Sequence, residues 1–287
     1  MSTEAKKKKL LENPIANGIM VPIAIVLVGA VVVFGVTKLL SSERSYKDLV
    51  REMHTKTFGN RWVAAFELSK LISSSQIPQE DIPWLVENLE EIYNEAQDPR
   101  TRQFSVVASG ALHTNDSISL LEKAVSDTDD KVRFHAIVAL GNMPQGVAFT
   151  KWDKVLLLLE QREDIGMTQS AALALATHRI PQAEPVLVGL LSSENVVLRY
   201  TVASALVNYK NDRALPVLSR LLKLEPGKAQ NGSLNEDQVV ALKLSLLNSI
   251  KNNEWNVLKE DIMQVSKSDK SLKVMESAKE LLKTLKN

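Results

Sequence analysis

Small and apolar residues recur along this chain at the spacing of a buried helix stripe. The clearest copy covers residues 127–141, D-T-D-D-K-V-R-F-H-A-I-V-A-L-G. Four of its residues stand at i, i+4, i+7 and i+8, on one face of a 3.6-residue helix: Val132, Ala136, Ala139 and Leu140. Two of the four are alanines, so a neighbouring helix can approach closely. The pattern predicts one helix of a hairpin.

Residues typical of helix boundaries flank this stripe. Asp129 or Asp130 can accept hydrogen bonds from the first free backbone N–H groups. Gly141 and Asn142, followed by Pro144, provide a stop at the other end. The sequence therefore predicts both the start and the end of this helix.

The same stripe returns when Arg133 is taken as a reference, with small residues at +3 and +6 and Leu at +7. It is complete at Thr168, has Val202 at the first small position at Arg199, and is partial at Arg61 and Arg102. The reference positions are Arg61, Arg102, Arg133, Thr168 and Arg199, with successive separations of 41, 31, 35 and 31 residues. A small-residue face repeated at this interval is typical of a helical solenoid.

Helix pairs of this kind are predicted throughout 41–287. Seven hairpins are expected: 45–73, 79–112, 116–142, 150–177, 183–208, 213–251 and 254–286. The sixth contains a long Pro-, Gly- and Asn-rich loop, Glu225–Asn235. Such a loop is either functional or floppy, and the lack of an aromatic or a charge cluster favours the second. The Lys-rich last helix suits a terminal cap facing water, the alternative being a surface for a partner or lipid.

The best copy of the motif resembles the HEAT repeat, and more narrowly the short HEAT-like repeats named after phycobilisome lyases. The resemblance covers roughly residues 45–285. It implies an all-α fold, a right-handed α-α superhelical solenoid of the HEAT/armadillo kind, with extended surfaces for partners. The chain departs from the motif at Thr168, which replaces the Arg, and at Val207, which stands where Gly141 does.

An apolar run precedes the repeats. Residues 1–12 form a basic head with four consecutive lysines, Lys6–Lys9, and no charged residue occurs from Asn13 to Thr37. A membrane-spanning helix needs about 20 apolar residues, so 13–40 is predicted to be a single transmembrane anchor in the lipid bilayer. A cleaved signal peptide would have a shorter apolar region and a small-residue cleavage site. A buried core helix would not be apolar on every face.

Charge on the two sides of the run predicts its orientation. The cluster Lys6–Lys9 is denser than the basic residues that follow the run, which are mixed with Glu43 and Asp48. The positive-inside rule then places the N-terminus in the cytoplasm and the repeat domain across the membrane. In a bacterium this is a single-pass inner-membrane protein with a periplasmic repeat domain. The reverse orientation stays open because both flanks carry cations.

Composition narrows the function classes. Of the 287 residues, 45% are hydrophobic but only 5% aromatic, which favours stacked helices over a β-sandwich. The net charge of +1 provides no global field for nucleic acid, which is not an expected partner. The chain has no Cys, and this excludes disulfides, thiolate metal sites and Cys nucleophiles without deciding the compartment.

Residues with catalytic potential do not form a recognisable constellation. No H-x-x-x-H pair occurs among His54, His113, His135 and His178. Phosphate-binding and nucleophile-elbow glycine motifs are also absent from the sequence. We therefore predict no catalytic, cofactor-binding or metal-binding residues, no cofactor and no small-molecule substrate. Carboxylate pairs such as Asp129–Asp130 are interpreted as helix caps or solvated faces.

The reference arginines form a ladder, Arg61, Arg102, Arg133 and Arg199. In HEAT-like repeats such an Arg commonly pairs with an acidic residue of a neighbouring repeat, and Asp130 and Glu194 are the local candidates. A ligand-binding Arg stripe is the alternative. Each of the four tryptophans, Trp62, Trp84, Trp152 and Trp255, falls near the start of a predicted hairpin helix. They are expected to pack in the core, and an exposed Trp on a concave face would favour binding.

The sequence thus predicts a membrane-anchored scaffold or adaptor that binds protein partners and has no catalysis of its own. Two alternatives are retained. The chain is a bilin-lyase-like enzyme or its subunit, or it is a regulatory subunit of a membrane transport or secretion complex. The repeats alone do not imply the lyase activity, because one fold hosts many functions.

Overall fold

The computed structural model describes residues 44–55, 61–74, 77–160, 164–225 and 234–285. The chain divides into two units, Met1–Asp48 and Leu49–Asn287. Of the first unit the structure describes residues 44–48, where the Ser45 hydroxyl donates to the Asp48 carboxylate at 2.7 Å. The predicted head 1–12 and anchor 13–40 lie outside the described residues. Within the described ranges, no helix is both long enough and apolar enough to cross a bilayer.

Helices form all the regular secondary structure of the described residues, and the all-α prediction is confirmed for them. Fourteen α-helices occur there in seven successive pairs: α1 Tyr46–His54 and α2 Arg61–Ser73; α3 Ile82–Glu95 and α4 Pro99–Ala111; α5 Ile118–Ala124 and α6 Asp130–Asn142; α7 Trp152–Leu157 and α8 Ile165–Thr177; α9 Ala183–Leu190 and α10 Val196–Ala205; α11 Leu215–Leu222 and α12 Glu236–Asn252; α13 Lys259–Ser268 and α14 Leu272–Thr284. Short 3-10 turns accompany some of them at Gln79–Asp81, Asn115–Ser117, Leu206–Tyr209 and Asp212–Ala214.

One predicted boundary differs in the structure, and one predicted loop cannot be compared with it. The first helix of the last pair begins at Lys259 rather than at 254, because Glu254 and Leu258 take up left-handed φ angles of 48° and 54°. Most of the predicted loop Glu225–Asn235, namely residues 226–233, lies outside the described residues.

The even-numbered helices form a continuous layer, which we call the second-helix layer. From α2 to α14, each contacts the even-numbered helix of the next hairpin. A Cβ added to Gly110 of α4 would lie 2.4 Å from the Cβ of Ala139 in α6, so only glycine permits this approach. Gly141 of α6 faces Ala174 of α8 in the same register. The close approach predicted from the small residues is therefore observed between these helices.

Asp and Asn residues start the second helices, because a side-chain oxygen of each accepts a hydrogen bond from the first turn. The five caps are Asp98 (2.8 Å to Thr101 N), Asp129 (3.0 Å to Lys131 N), Asp164 (2.9 Å to Met167 N), Asn195 (2.9 Å to Leu198 N) and Asn235 (2.8 Å to Gln238 N). The first four stand four residues before the reference positions of the repeat. The sequence offered Asp129 and Asp130 as alternatives, and Asp129 is the cap.

Candidate functional site

The arginine ladder ties four of the second helices, α2, α4, α6 and α10, to the backbone that precedes them. Three arginines donate from Nη1 to the backbone carbonyl six residues earlier: Arg102 to Ala96 (3.1 Å), Arg133 to Asp127 (2.7 Å) and Arg199 to Ser193 (2.7 Å). Arg61 makes a similar bond from Nε to the carbonyl of Met53 at 2.5 Å. Where Thr168 replaces the Arg, its hydroxyl donates to the carbonyl of Asp164 at 2.9 Å. The repeated Arg therefore has a structural role at these positions.

One rung also makes the predicted ion pair between hairpins. Arg102 of α4 donates from Nε and Nη2 to the two carboxylate oxygens of Asp127, at 2.8 and 3.0 Å. The phenol of Tyr93 in α3 donates to the same carboxylate at 2.6 Å. The side chains of Arg102 and Asp127 are only 14% and 4% exposed. A bidentate pair of this kind fixes distance and orientation together, so it sets how the second and third hairpins dock.

Protonation of this network follows from its contacts. Burial alone would raise the pKa of Asp127, but the hydrogen bonds from Arg102 and Tyr93 outweigh it and the pKa is lowered. Burial, reinforced by the negative Asp127, raises the pKa of the Tyr93 phenol. The hydrogen bond to Asp127 raises the pKa of Arg102. Near neutral pH the node is therefore an ionised Arg102–Asp127 pair beside a neutral tyrosine.

Of the two acidic partners expected from the sequence, Asp130 does pair with its arginine, but within one helix, and Glu194 does not. Asp130 pairs with Arg133 inside its own helix, so this contact does not join two hairpins. Arg199 donates to the carbonyl of Ser193 instead of pairing with Glu194. Asp127 was missed because its role depends on how the loop before α6 approaches α4. Its only sequence signal is its position six residues before Arg133.

The four histidines make separate structural contacts. His54 lies 3.0 Å from the side-chain oxygen of Asn88, and His178 lies 2.8 Å from the carbonyl of Leu140. His135 lies 3.1 Å from the amide nitrogen of Gln103 in the preceding second helix, and burial lowers its pKa. His113 takes up a left-handed φ of 49° just after α4. Within the described residues, no group of three His, Asp or Glu side chains is arranged to hold a metal.

The tryptophans divide between core and surface. Trp255 is 8% exposed, as the core prediction requires. The ring of Trp152 packs against the rings of Phe149 and His178, with centroid distances of 4.6 and 4.7 Å. The core prediction is wrong for Trp84, which is 37% exposed on α3, and Trp62 is half-buried on α2. Trp62 belongs to the surface described next.

Four apolar residues line up across the second-helix layer, each five residues after a reference position of the repeat. This apolar row consists of Phe66, Val107, Val138 and Leu173. Three of them are more exposed than large apolar side chains usually are: Phe66 at 36%, Val138 at 36% and Leu173 at 43%. The next equivalent residue, Ser204 of α10, is polar and 3% exposed, so the row ends there. Aligned exposed apolar residues on successive elements are typical of an interaction surface.

Aromatic rings and cations broaden the row at its α2 end. Phe104 packs against Phe66 edge-on, with ring centroids 5.2 Å apart, and against Trp62 at 6.2 Å. Lys70 Nζ lies 4.2 Å from the centroid of Phe66, and the guanidinium carbon of Arg100 lies 5.5 Å from that of Trp62. Aromatic and Arg side chains are the ones most enriched where protein interfaces gain their affinity.

A buried ion pair in the last hairpins is a competing candidate. Lys243 of α12 is 4% exposed, and its Nζ lies 2.6 Å from Asp269. A cavity of about 140 Å³ adjoins the pair. Four other charges on its wall also form ion pairs, Lys223–Asp261 at 2.8 Å and Lys270–Glu225 at 3.4 Å, and Glu236 lines the same wall. Most of the charges around this cavity are therefore engaged within the last hairpins.

Comparison with known proteins agrees with this architecture. Residues 153–230 match the family model of HEAT repeats. The match covers α7 to α10 and the first helix of the sixth hairpin. No curated protein sequence matches the chain. The HEAT match accords with the coarser resemblance found in the sequence and adds nothing on a lyase-type activity.

Three solved structures that this chain resembles are distant from it in sequence. An engineered protein from a structural genomics consortium is 17% identical, with 84% of this chain and 96% of that chain covered and a TM-score of 0.45. A designed armadillo repeat protein is 17% identical, with 84% and 100% covered and a TM-score of 0.40. Another, in complex with peptide (KR)4, is 18% identical, with 85% and 100% covered and a TM-score of 0.39.

Proposed function

We propose that this chain is a membrane-anchored scaffold that binds a protein partner through the apolar row of the second-helix layer. The supporting observation is that Phe66, Val138 and Leu173, each more than a third exposed, occupy the same repeat position on the first, third and fourth hairpins. Covering them with apolar partner groups removes them from water, which is the main favourable term in protein association. The HEAT match over 153–230 supports a repeat protein of the kind that offers extended binding surfaces.

The proposed anchor rests on the sequence. The uncharged stretch Asn13–Thr37 supports a spanning helix within 13–40, and Lys6–Lys9 support a cytoplasmic N-terminus. The proposed arrangement is a basic head at 1–12, a single span at 13–40 and a repeat domain at 41–287 in the periplasm. The right-handed sense of the superhelix belongs to the same proposal and rests on the resemblance to HEAT repeats. Anchoring would confine the encounter with the partner to the membrane.

Purification in mild detergent tests the binding function. The wild-type chain should retain a stoichiometric partner, identified by mass spectrometry. Leu173→Ser should lose that partner without a change in far-UV circular dichroism. Leu157→Ser is the matched control, because Leu157 is 52% exposed on α7 of the other layer. Equal retention by both variants would contradict the assignment of the surface.

Protease digestion tests the orientation. In spheroplasts, an added protease should cut the repeat domain from the outer side of the membrane while a cytoplasmic marker stays intact. Digestion only after lysis would reverse the proposed orientation.

A further inference from the structure

We infer that the segment which binds the apolar row is acidic at one end, with carboxylates over α2, α4 and the first turn of α6 and neutral apolar side chains over the rest of α6 and α8. The inference rests on the proposed function and adds the chemistry and direction of the partner. It is carried by the charges beside the row, which are unevenly distributed.

Cations beside the first part of the row have no acidic partner. Lys70, Arg100 and Lys131 are exposed on α2, α4 and α6. Within the described residues, none of the three forms an ion pair: Lys70 and Arg100 rest on aromatic rings instead. These are positive charges that a partner's carboxylate can still meet.

Neighbouring carboxylates are already engaged. Asp98 and Asp129 accept from the first backbone N–H groups of α4 and α6. Asp127 is held by Arg102, and Asp130 pairs with Arg133. These four acids therefore serve the helix starts and the ladder, and none of them pairs with Lys70, Arg100 or Lys131.

The aromatic contacts also hold two of these cations in place. Lys70 Nζ lies 4.2 Å from the centroid of Phe66, and the Arg100 guanidinium carbon lies 5.5 Å from that of Trp62. Both rings belong to the apolar surface itself. A long side chain held against a ring loses less freedom when a carboxylate binds it, so the charge is preorganised for recognition.

The other end of the row is neutral. Two residues before the reference position, α4 and α6 carry Arg100 and Lys131, whereas α8 and α10 carry Gly166 and Val197 at the same place. Nine residues after it, α2 carries Lys70, and the later second helices carry Ala111, Asn142, Thr177 and Asn208. The charge beside the row changes along it, while the apolar position persists to Leu173. The surface can therefore distinguish the two possible orientations of a bound segment. Its acidic groups belong at the α2 end, where electrostatic complementarity fixes the register.

Peptide selection tests this inference. The full chain in detergent micelles is immobilised, and a random peptide display library is selected against four forms of it. These are the wild type, Lys70→Glu with Arg100→Glu, Val138→Ser with Leu173→Ser, and a charge-matched control, Lys273→Glu with Lys279→Glu on α14. The control lysines are exposed and lie away from the row.

The wild type and the control should enrich the same peptides, which combine apolar residues with Asp or Glu at one end. The reversed pair should enrich Lys- or Arg-containing peptides and bind the best wild-type peptide about tenfold more weakly, as expected for surface charges that guide association. If the reversed pair lowers the melting temperature, Lys70→Gln with Arg100→Gln replaces it and should abolish the preference for acids.

The remaining outcomes separate the inference from the proposed function. If the wild type and the reversed pair enrich the same peptides, the inference of an acidic partner is overturned. The proposed function still stands in that case if Val138→Ser with Leu173→Ser abolishes binding. If that variant also behaves as the wild type, or if no peptide is enriched over a blank support, both are overturned.

Discussion

Replacing Asp127 by Asn should destabilise the stack by about 3 kcal/mol, the lower end of the cost of breaking a buried ion pair. The pair is buried, with side-chain exposures of 14% for Arg102 and 4% for Asp127. The variant leaves the guanidinium buried without its carboxylate. The loss is kept to the lower end because Arg102 retains the carbonyls of Ala96 and Gln97, at 3.1 and 2.9 Å.

Urea unfolding of the full chain in detergent, followed by circular dichroism, measures the free-energy change. Repeat arrays can unfold in stages, so hydrogen exchange should locate the effect at the contact of α3 and α4 with the loop before α6. A double-mutant cycle with Arg102→Met should give a coupling energy of about 2 kcal/mol. The matched cycle uses Glu90 and Lys123, which join the same two hairpins at 2.8 Å but are 23% and 44% exposed. Its coupling should be about 0.2–1 kcal/mol.

Acid unfolding provides a second measurement of the same network. The folded-state pKa of Asp127 is lowered, so its contribution is complete above its unfolded pKa of about 3.9. This stability is lost as the pH falls through the folded-state value. Asp127→Asn should therefore flatten the acid limb of the stability profile. Equal coupling in the two cycles, together with an unchanged acid limb, would refute the assignment of Asp127 as the inter-hairpin node.

Three further predictions concern packing, the ladder and the tyrosines. Gly110→Ala should lower the free energy of unfolding by about 1–3 kcal/mol because the added methyl group clashes with Ala139. Adding Ala139→Gly should recover part of this loss in the same urea assay, and no recovery would contradict the close contact. Arg133→Ala should lower the melting temperature by an amount equivalent to about 1–2 kcal/mol and leave membrane anchoring unchanged. If the variant keeps its stability but loses a partner, the ladder is a ligand-binding site instead. Burial raises the pKa of Tyr93 and Tyr209, so their neutral forms contribute stability below a pH of about 10, and this stability is lost as the pH rises. A pH titration followed by absorbance at 295 nm should show a late phase of tyrosine ionisation, which disappears when both residues are replaced by Phe.

The helical hairpins could be predicted from the sequence because their determinants are local. The stripe at +3, +6 and +7 and the cap four residues before the reference repeat with a fixed offset, whereas a glycine eight residues after it occurs only at Gly110 and Gly141. The stripe identifies Ala139 as a contact residue. The sequence predicts Gly141 as a helix stop, but it lies within α6 and faces Ala174. Their exact neighbours in the adjacent helices, Gly110 and Ala174, follow once those offsets are aligned.

The candidate surface could be predicted only in part. Phe66, Val138 and Leu173 stand at one repeat position, but the sequence does not reveal that this position faces outward instead of being covered by the next helix. Ser204 occupies the same position in α10 and is buried. Likewise, the Arg102–Asp127 pair joins residues 25 positions apart across two hairpins, so it depends on tertiary docking.

Site-specific photo-crosslinking in intact membranes tests the central claim most directly. A photoreactive amino acid is placed at Leu173 in one variant and at Leu157 in another, two exposed leucines on neighbouring helices of different layers. The proposed scaffold function predicts a discrete crosslinked partner from position 173 and none from position 157. The same product from both positions, or from position 157 alone, would contradict binding through the apolar row.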